Sequence, residues 1–466
     1  MKGDIVVVGG GVAGLTAALL LRRKFPDAGI TLVERARSFG GLLTTYDYGR
    51  FGPFDCGMHW ITETGIKEID DLYLDLLPEQ DWVFLEGAQR DLSGLFYRGR
   101  LQTNTQYPDL RHLPSEDYQA CLGDFFANLN RPRADGNASF LDFARSRFGA
   151  KVAESVIAPI AAKVHGADAE VLDPMARYLP LLDRITLFDE DIFLNLMQSP
   201  ELRTRLAFPE QRRLPLSYAS GRRSYYPRRY GIGRVIDAMV AQLQEANVEL
   251  LTGSRISAFD LHDSTIRRVE IEDAAGEKRM VEPAGLVLWT VDAAALATGL
   301  GLPLPKRTPP RRRTIIVSML LKQPPRMADL YCFFCGDAPF ATYRVTNFTA
   351  FCPAAPRNDG YPISVELLVD LNDKRSPNEF AQQAGEEILA FGLIASPEEV
   401  VFARAEPLAS GFPSMARGSI RGLEEIREMI EDKKISNLLR GGILAKKNQF
   451  FQHDVLIDIH QKVAAI

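Results

Sequence analysis

The sequence predicts an α/β fold in which a discontinuous Rossmann-like domain is joined to an α+β domain with a mixed sheet and a helical insertion. The main observation is the order strand, glycine turn, helix and strand within residues 4–34. Residues 5–8 form a β-branched apolar run typical of a buried parallel strand, and residues 15–24 have the pattern of an apolar helix. Buried-strand patterns return at 285–290 and 435–442. We therefore expect one sheet assembled from distant parts of the chain.

The turn between the first strand and the first helix has the spacing of a dinucleotide-binding motif. Gly9 permits a tight turn, Gly11 lets the backbone approach a pyrophosphate, and Gly14 lets the helix pack closely on the strand. The helix start adds unpaired N–H groups and a partial positive charge. Glu34 follows at the end of the second strand, where a carboxylate can hold a ribose. A turn that binds nothing is the alternative, and NAD and FAD are both open at this point. The contacts expected from the motif are Gly9, Gly11, Val12, Ala13, Gly14, Glu34 and Arg35.

Composition indicates an ordinary globular protein of two or three domains. The chain has 466 residues, 46% of them hydrophobic and 25% charged, and a net charge of −5. A net negative charge gives no reason to expect nucleic-acid binding. The first strand pattern begins at residue 4, and no apolar run approaches the roughly 18 residues of a membrane-spanning helix. We expect no signal peptide and a cytoplasmic protein, with peripheral membrane contact left open.

Five cysteines are present, and their spacing suggests no disulfide framework. Cys332 and Cys335 form a CxxC pair, which allows a redox function. The surrounding apolar residues favour a buried strand, in which free cysteine is a good core residue. No second CxxC or spaced histidine pair completes a zinc site, so we expect no metal.

A larger pattern follows the first motif and includes the pair Gly40–Gly41 and the loop Asp-x-Gly-x-His at residues 55–59. The pattern resembles the FAD-binding half of the flavin amine oxidase group, which includes protoporphyrinogen oxidases, phytoene desaturases and UDP-galactopyranose mutases. The resemblance implies FAD as cofactor, with Gly40, Gly41, Gly57 and His59 beside it. It also makes His59 a candidate catalytic residue, a structural histidine being the alternative. Leu42 stands where amine oxidases usually have arginine, which weakens that branch.

Residues 62–220 have mainly helical periodicity and are expected to form the helical insertion. Within them, Pro159-Ile-Ala-Ala-Lys-Val-His-Gly166 is similar to a substrate-side segment of UDP-galactopyranose mutases. Ile160 and His165 replace that family's tyrosine and tryptophan, so the substrate is expected to differ. The resemblance makes Lys163 a second candidate catalytic residue. A structural helix end facing solvent is the alternative.

Eight arginines lie between residues 203 and 229, with only Glu210 to oppose them. Arginine binds phosphate in a bidentate manner, so Arg222 and Arg223 are candidates for binding a phosphorylated or nucleotide-linked substrate. A solvated charged face is the alternative. The segment 225–233 resembles the point at which the family's chain returns to its cofactor domain, and Tyr226 is a third substrate candidate. It lacks a full second glycine motif, which disfavours a separate NAD(P)H domain.

The resemblance extends to three further cofactor contacts. The position of Ile256 implies a backbone contact with adenine, Thr290 ends a strand beside the cofactor, and Gly442 lies near the flavin. The arginine that usually follows that glycine is absent. The expected FAD domain comprises residues 1–61, 221–302 and 406–466, and the expected substrate domain comprises residues 62–220 and 303–405.

Three functions remain open from the sequence. The first is an FAD-dependent oxidase or dehydrogenase that removes a hydride from a small organic substrate. The second is a redox-neutral mutase that acts on a nucleotide sugar. The third is a flavin-binding carrier without turnover. The sequence leaves the substrate, the electron acceptor and the oligomeric state open.

Overall fold

The computed structural model describes residues 3–129, 138–282, 284–306, 309–357, 359–408 and 411–466. The strands are β1 (Asp4–Val8), β2 (Ile30–Val33), β3 (Thr45–Asp47), β4 (Pro53–Asp55), β5 (Ile61–Thr62), β6 (Trp82–Leu85), β7 (Ser93–Tyr97), β8 (Arg100–Gln102), β9 (Ser224–Pro227), β10 (Glu249–Leu251), β11 (Arg255–His262), β12 (Thr265–Glu272), β13 (Lys278–Val281), β14 (Ala284–Trp289), β15 (Arg312–Leu321), β16 (Cys332–Cys335), β17 (Thr342–Asn347), β18 (Tyr361–Asp370), β19 (Val400–Pro407) and β20 (Leu438–Arg440). The α-helices are α1 (Val12–Lys24), α2 (Lys67–Leu74), α3 (Ser115–Asn128), α4 (Phe140–Phe148), α5 (Ala150–Val152), α6 (Ala158–His165), α7 (Glu190–Leu196), α8 (Pro200–Arg205), α9 (Gly233–Glu245), α10 (Ala293–Gly299), α11 (Pro377–Ala390), α12 (Arg417–Asp432) and α13 (Gln452–Ala464).

A five-stranded parallel sheet in the order β10-β2-β1-β14-β20 forms the Rossmann-like part. Ile5 and Val7 on β1 face a core shared with α1, α9 and α13, whereas Val6 and Val8 face a core shared with β12 and α12. Both faces of β1 are therefore covered, which explains why its sequence is continuously apolar rather than alternating. The predicted sheet made from distant chain segments is confirmed.

A seven-stranded mixed sheet in the order β19-β15-β18-β17-β16-β7-β8 forms the second part. Only β7 and β16 pair in parallel. One face is apolar and packs on α11, through residues such as Val317, Val365 and Phe380. The other face carries buried polar side chains, among them Ser364 and Glu366. The sheet therefore has one apolar and one polar face, and the polar face lies against the loop after β4, where a Cβ atom on Gly57 would lie 2.9 Å from Glu366 Oε1.

In the described parts of residues 110–208, α3 to α8 pack around an apolar core to which Ile420 and Leu423 of α12 also contribute. A π-helical turn at Ala153–Ile157 separates α5 from α6, and α6 ends at Gly166 in the left-handed conformation. Helices dominate residues 62–220 as expected, with α2 to α8 all in this range, but its first forty residues also contain the short strands β5 to β8, which the helical periodicity did not indicate. These strands have two to five residues each, too few to display an alternating pattern, and partners elsewhere in the chain decide their conformation.

The CxxC segment forms β16, as its apolar neighbours indicated. In an extended strand, residues three apart are separated by roughly 10 Å, which is too far for a disulfide. The five cysteines are free and buried. Burial raises the pKa of both Cys332 and Cys335 to about 11, so neither thiol is ionised near neutral pH. Within the described residues, no helix has the length and apolar character needed to cross a membrane.

Candidate functional site

The glycine turn after β1 combines two packed glycines with one open one. A Cβ atom on Gly14 would lie 1.8 Å from Gly9 O, and a Cβ atom on Gly9 would lie 2.4 Å from Thr290 Oγ1. A Cβ atom on Gly11 would meet nothing within 4 Å. Gly11 also precedes α1, whose first turn has neither an acidic residue nor a side-chain cap. The structure therefore leaves an open, partly positive cradle at Gly11 that suits a pyrophosphate.

Glu34 lies beside this cradle, directly after β2. Its Oε2 accepts a hydrogen bond from Gly10 N at 2.6 Å, and its Oε1 accepts one from Ala36 N at 2.6 Å. The two bonds fix the carboxylate at the carboxyl end of the sheet, where a ribose would lie in a Rossmann-like site. Arg35 is exposed next to it.

The segment that leads to Ile256 runs along Glu34. Glu34 N donates to Leu251 O at 2.7 Å, and Ser254 N donates to Glu34 O at 2.9 Å. Ile256 itself pairs with Ile271 in the small sheet β11-β12-β13. The structure thus brings the predicted ribose and adenine positions into one region.

The pair Gly40–Gly41 lies against the glycine turn. Gly40 N donates to Gly10 O at 2.8 Å, and a Cβ atom on Gly41 would lie 3.4 Å from Gly11 Cα. Both glycines have positive φ angles, of 116° and 59°, which favour glycine over residues with a side chain. The pair therefore lies in direct contact with the glycine turn.

Gly442 and Thr290 meet at the same edge of the parallel sheet. A Cβ atom on Gly442 would lie 2.3 Å from Thr290 O, and Thr290 Oγ1 donates to Val8 O at 2.8 Å. The ends of β1, β14 and β20 are consequently in direct contact. Ligands of open parallel sheets bind at this kind of edge.

Exposed apolar side chains directly follow Gly41, Thr290 and Gly442. Leu42, Val291 and Ile443 are 40%, 42% and 51% exposed. Single exposed aliphatic residues are common, but these three share one site. They give the cradle an apolar rim, which suits a flat aromatic ring better than a second sugar and phosphate.

The loop after β4 starts from a buried polar network around Asp55. Thr45 Oγ1 donates to Asp55 Oδ1 at 2.6 Å, the Tyr226 hydroxyl donates to Oδ2, and Ile232 N donates to Oδ1 at 3.0 Å. Burial raises the pKa of Asp55 to about 6. Tyr226 is fully buried, and its hydroxyl also accepts from Gly231 N. The structure therefore does not support the predicted contact of Tyr226 with substrate, because its hydroxyl is committed to this network.

Gly57 and His59 pack against an ion pair that the sequence analysis did not identify. Arg344 on β17 and Glu366 on β18 are direct cross-strand partners, joined at 2.6 Å (Nε–Oε1) and 3.0 Å (Nη2–Oε2). A Cβ atom on Gly57 would lie 2.9 Å from Glu366 Oε1. Burial and the positive charge of Arg344 lower the pKa of His59 to about 3. His59 is therefore neutral at physiological pH. The feature of the sequence that could have indicated this pair is a charged residue in the middle of each strand.

Lys163 is buried between the helical region and the seven-stranded sheet. Its Nζ donates to Cys335 O at 2.7 Å and to Thr342 O, and burial lowers its pKa. His165, two residues on, is bonded through Nε2 to Ala176 O at 2.9 Å. The alternative of a helix end facing solvent does not fit, because Lys163 is 7% exposed. The geometry assigns Lys163 to holding α6 on the sheet and does not support a reacting role.

Most arginine side chains of residues 203–229 already bind other groups of the chain. Arg205 is 3% exposed and pairs with Glu201, and Arg223 pairs with Glu63 at 2.6 Å while covering the Phe84 ring. Arg203, Arg212, Arg213 and Arg228 bind carbonyl or carboxylate groups of the chain. Arg222 is exposed. The structure therefore does not support a phosphate-binding function for Arg223, because its guanidinium is already paired.

Comparison with known proteins adds sequence and fold relationships. Residues 7–76 match the NAD(P)-binding Rossmann-like domain family. Protoporphyrinogen oxidase 1 of Arabidopsis thaliana is 27% identical over 191 residues, covering 38% of this chain and 33% of the relative. Coproporphyrinogen III oxidase of Staphylococcus aureus is 26% identical over 195 residues, 38% of this chain and 40% of the relative. The chain thus matches between a third and two fifths of the length of these curated relatives.

Two solved structures share the fold over almost the whole chain. A reduced UDP-galactopyranose mutase has a TM-score of 0.76 at 17% identity, covering 99% of this chain and 93% of the other. A protein of Exiguobacterium assigned to the protoporphyrinogen oxidases has a TM-score of 0.69 at 18% identity, covering 100% and 98%. At these identities the likeness is one of fold.

Proposed function

We propose that this chain, which is similar in part of its sequence to protoporphyrinogen oxidases and in fold to a UDP-galactopyranose mutase, is an FAD-dependent oxidoreductase. Its substrate would be a small organic molecule that loses a hydride. The observation that carries the proposal is the carboxyl edge of the parallel sheet. There an open glycine cradle, a fixed carboxylate and an apolar rim lie together.

Each part of this edge suits one part of FAD. The Gly11 cradle and the start of α1 would hold the pyrophosphate, and Glu34 would hold a ribose. Gly41, Gly57 and Gly442 would allow the backbone to approach the ring system closely. Bound FAD supplies two-electron redox chemistry, so the chain itself needs only to bind, orient and shield the reactants.

His59 is suited to orienting rather than to protonating. Its low pKa keeps the imidazole neutral, so it can donate one hydrogen bond and accept another but carries no acidic proton at pH 7. The Arg344–Glu366 pair supports the loop on which His59 lies. We therefore assign His59 a positioning role beside the flavin.

Two observations favour the oxidoreductase over the nucleotide-sugar mutase. The arginines of 203–229 are mostly engaged with the chain itself, which leaves few for a diphosphate. Ile160 is 1% exposed in the helical core, so it cannot take the part of the mutase tyrosine. Both observations support a substrate other than a nucleotide sugar.

The test is direct. We expect the purified chain to bind FAD, and the bound flavin to bleach anaerobically when an amine or a porphyrinogen is added. Turnover of UDP-sugars only after reduction with dithionite would instead identify a mutase. A chain that stays colourless after incubation with FAD would refute both functions.

A further inference from the structure

A cavity of about 260 Å³ lies between the helical region and the seven-stranded sheet. Val164 and His165 of α6 form one wall, Thr314 and Leu368 of the sheet form another, and the segment 412–418 before and within α12 closes the top. This volume is below the roughly 300–1,000 Å³ of clefts that hold whole drug-sized ligands. The cavity therefore suits a small molecule or one arm of a larger one.

Two arginines contribute positive charge to the cavity. Arg311 and Arg312 line it, and no Asp or Glu occurs among the lining residues that the structure describes. Among the described residues, neither arginine forms an ion pair, although Arg312 lies opposite Asp370 across the β15–β18 pairing, and Arg311 makes a long contact of 3.5 Å with Gly166 O. These guanidinium groups thus retain donors for an anion.

Buried polar atoms without partners lie on the same side. Thr314 is 1% exposed, and its Oγ1 has no hydrogen-bond partner among the described residues. The Nε atom of Arg312 is likewise buried and unpartnered. A buried polar group without a hydrogen-bond partner is destabilising, so such atoms in one cavity indicate a polar ligand or bound water.

The start of α12 adds a third source of positive potential. This helix has 16 residues, no acidic residue in its first turn and no side-chain cap, and Gly418 in that turn lines the cavity. Most of the other lining residues are apolar, among them Leu179, Phe412 and Met415, with His165 and Ser414 as the polar ones. A ligand with an anionic head and an apolar body matches both halves.

Part of the cavity wall packs in the same apolar cluster as the loop after β4. Val164, Leu179 and Leu368 line it and also pack in an apolar cluster that includes Met58, the residue after Gly57. We propose that the cavity anchors an organic carboxylate, the anionic arm of the substrate. That the ligand is the substrate rests on the proposed function, whereas the binding of a carboxylate rests on the cavity alone.

Benzoate tests the proposal, with benzyl alcohol as its neutral counterpart and UDP as the phosphate-bearing probe. In calorimetric titrations of the full chain, we expect benzoate to bind about tenfold or more tightly than benzyl alcohol. The double variant Arg311→Gln/Arg312→Gln should lose about tenfold or more of the benzoate affinity, and Thr314→Val should lose a smaller factor.

Arg313→Gln is the matched control. Arg313 is on the same strand, but its guanidinium donates to Asp373 O and lies over the Phe380 ring, away from the cavity. This variant should bind benzoate as the wild type does. Circular dichroism checks that each variant is folded.

Absence of benzoate binding to the wild type, equal binding of benzyl alcohol, or unchanged binding by the folded double variant would each overturn the proposal. UDP binding that depends on Arg311 and Arg312 when benzoate does not bind would overturn it in favour of a phosphate site. An FAD titration separates the two proposals. A chain that binds benzoate but not FAD refutes the proposed function, and one that binds FAD but not benzoate refutes only the carboxylate site.

Discussion

Gly11 and Gly14 are three residues apart in one motif, but the structure predicts opposite consequences for the same substitution. Gly14→Ala places a Cβ atom 1.8 Å from Gly9 O, which is backbone and can move only if β1 and α1 separate. Gly11→Ala places a Cβ atom in open space, and the backbone of Gly11, at φ −78° and ψ −178°, is acceptable for alanine. The first substitution should act on folding, and the second should act on cofactor binding.

The magnitudes follow from these contacts. Overpacking typically costs about 1–3 kcal/mol and more when backbone must move, so Gly14→Ala should lower the free energy of unfolding by about 3 kcal/mol or prevent folding. At Gly11, alanine reduces the entropy of the unfolded chain, which stabilises the fold, but alanine is a weaker N-cap residue than glycine, which destabilises it. Because the two effects oppose each other, the free energy of unfolding should change by less than about 1 kcal/mol. Two lost hydrogen bonds to a phosphate, at about 1.5 kcal/mol or more each, should weaken FAD binding by about a hundredfold or more.

Urea unfolding followed by tryptophan fluorescence measures stability, and quenching of flavin fluorescence measures FAD affinity. Gly123→Ala is the control, because Gly123 is exposed on α3, its added Cβ atom would meet nothing within 4 Å, and it is remote in sequence from the motif. A folded Gly11→Ala variant with wild-type FAD affinity would refute the assignment of the cradle. A Gly14→Ala variant as stable as the wild type would refute the packing argument.

Glu34→Ala should weaken FAD binding by about tenfold with little change in the urea midpoint, and an unchanged affinity would remove its ribose assignment. Arg344→Met leaves the partner carboxylate on β18 buried without its cation and should cost about 3–5 kcal/mol in urea unfolding; a loss below about 1 kcal/mol would contradict this. Burial lowers the pKa of His59 to about 3 and of His165 to about 4, so below pH 6.5 the unfolded chain binds more protons than the folded one. Each histidine should then lower the free energy of unfolding by about 2 kcal/mol between pH 7 and pH 5. Asp55 partly offsets this loss, because its raised pKa acts in the opposite direction. A urea midpoint that does not change between pH 7 and pH 5 would exclude the effect.

Local pattern was sufficient wherever neighbours in sequence are also neighbours in space. The unit β1–α1–β2 could be predicted because its strand, turn and helix follow one another within thirty residues. The glycine roles followed from the same local geometry, since Gly9 and Gly14 touch each other. The approach of Gly442 to Thr290 joins residues some 150 positions apart, and only the resemblance to a known family pointed to it.

Only the tertiary structure shows which charged side chains are already paired with other groups of the chain. The arginine-rich stretch has no acidic partner in sequence beyond Glu210, but the fold brings Glu63 to Arg223 and backbone carbonyls to several others. Lys163, a candidate catalytic residue from the sequence, is buried in the structure, where its hydrogen bond to Cys335 O links α6 to the sheet.

The sequence by itself determined the strand, glycine turn and helix that form the proposed dinucleotide cradle, because this cradle is made of backbone, and the backbone conformation at glycine is encoded locally. The tertiary structure decided what surrounds the cradle. The Arg344–Glu366 pair, the apolar rim and the cavity at Arg311 and Arg312 all depend on side chains from strands and loops that meet only in the folded protein.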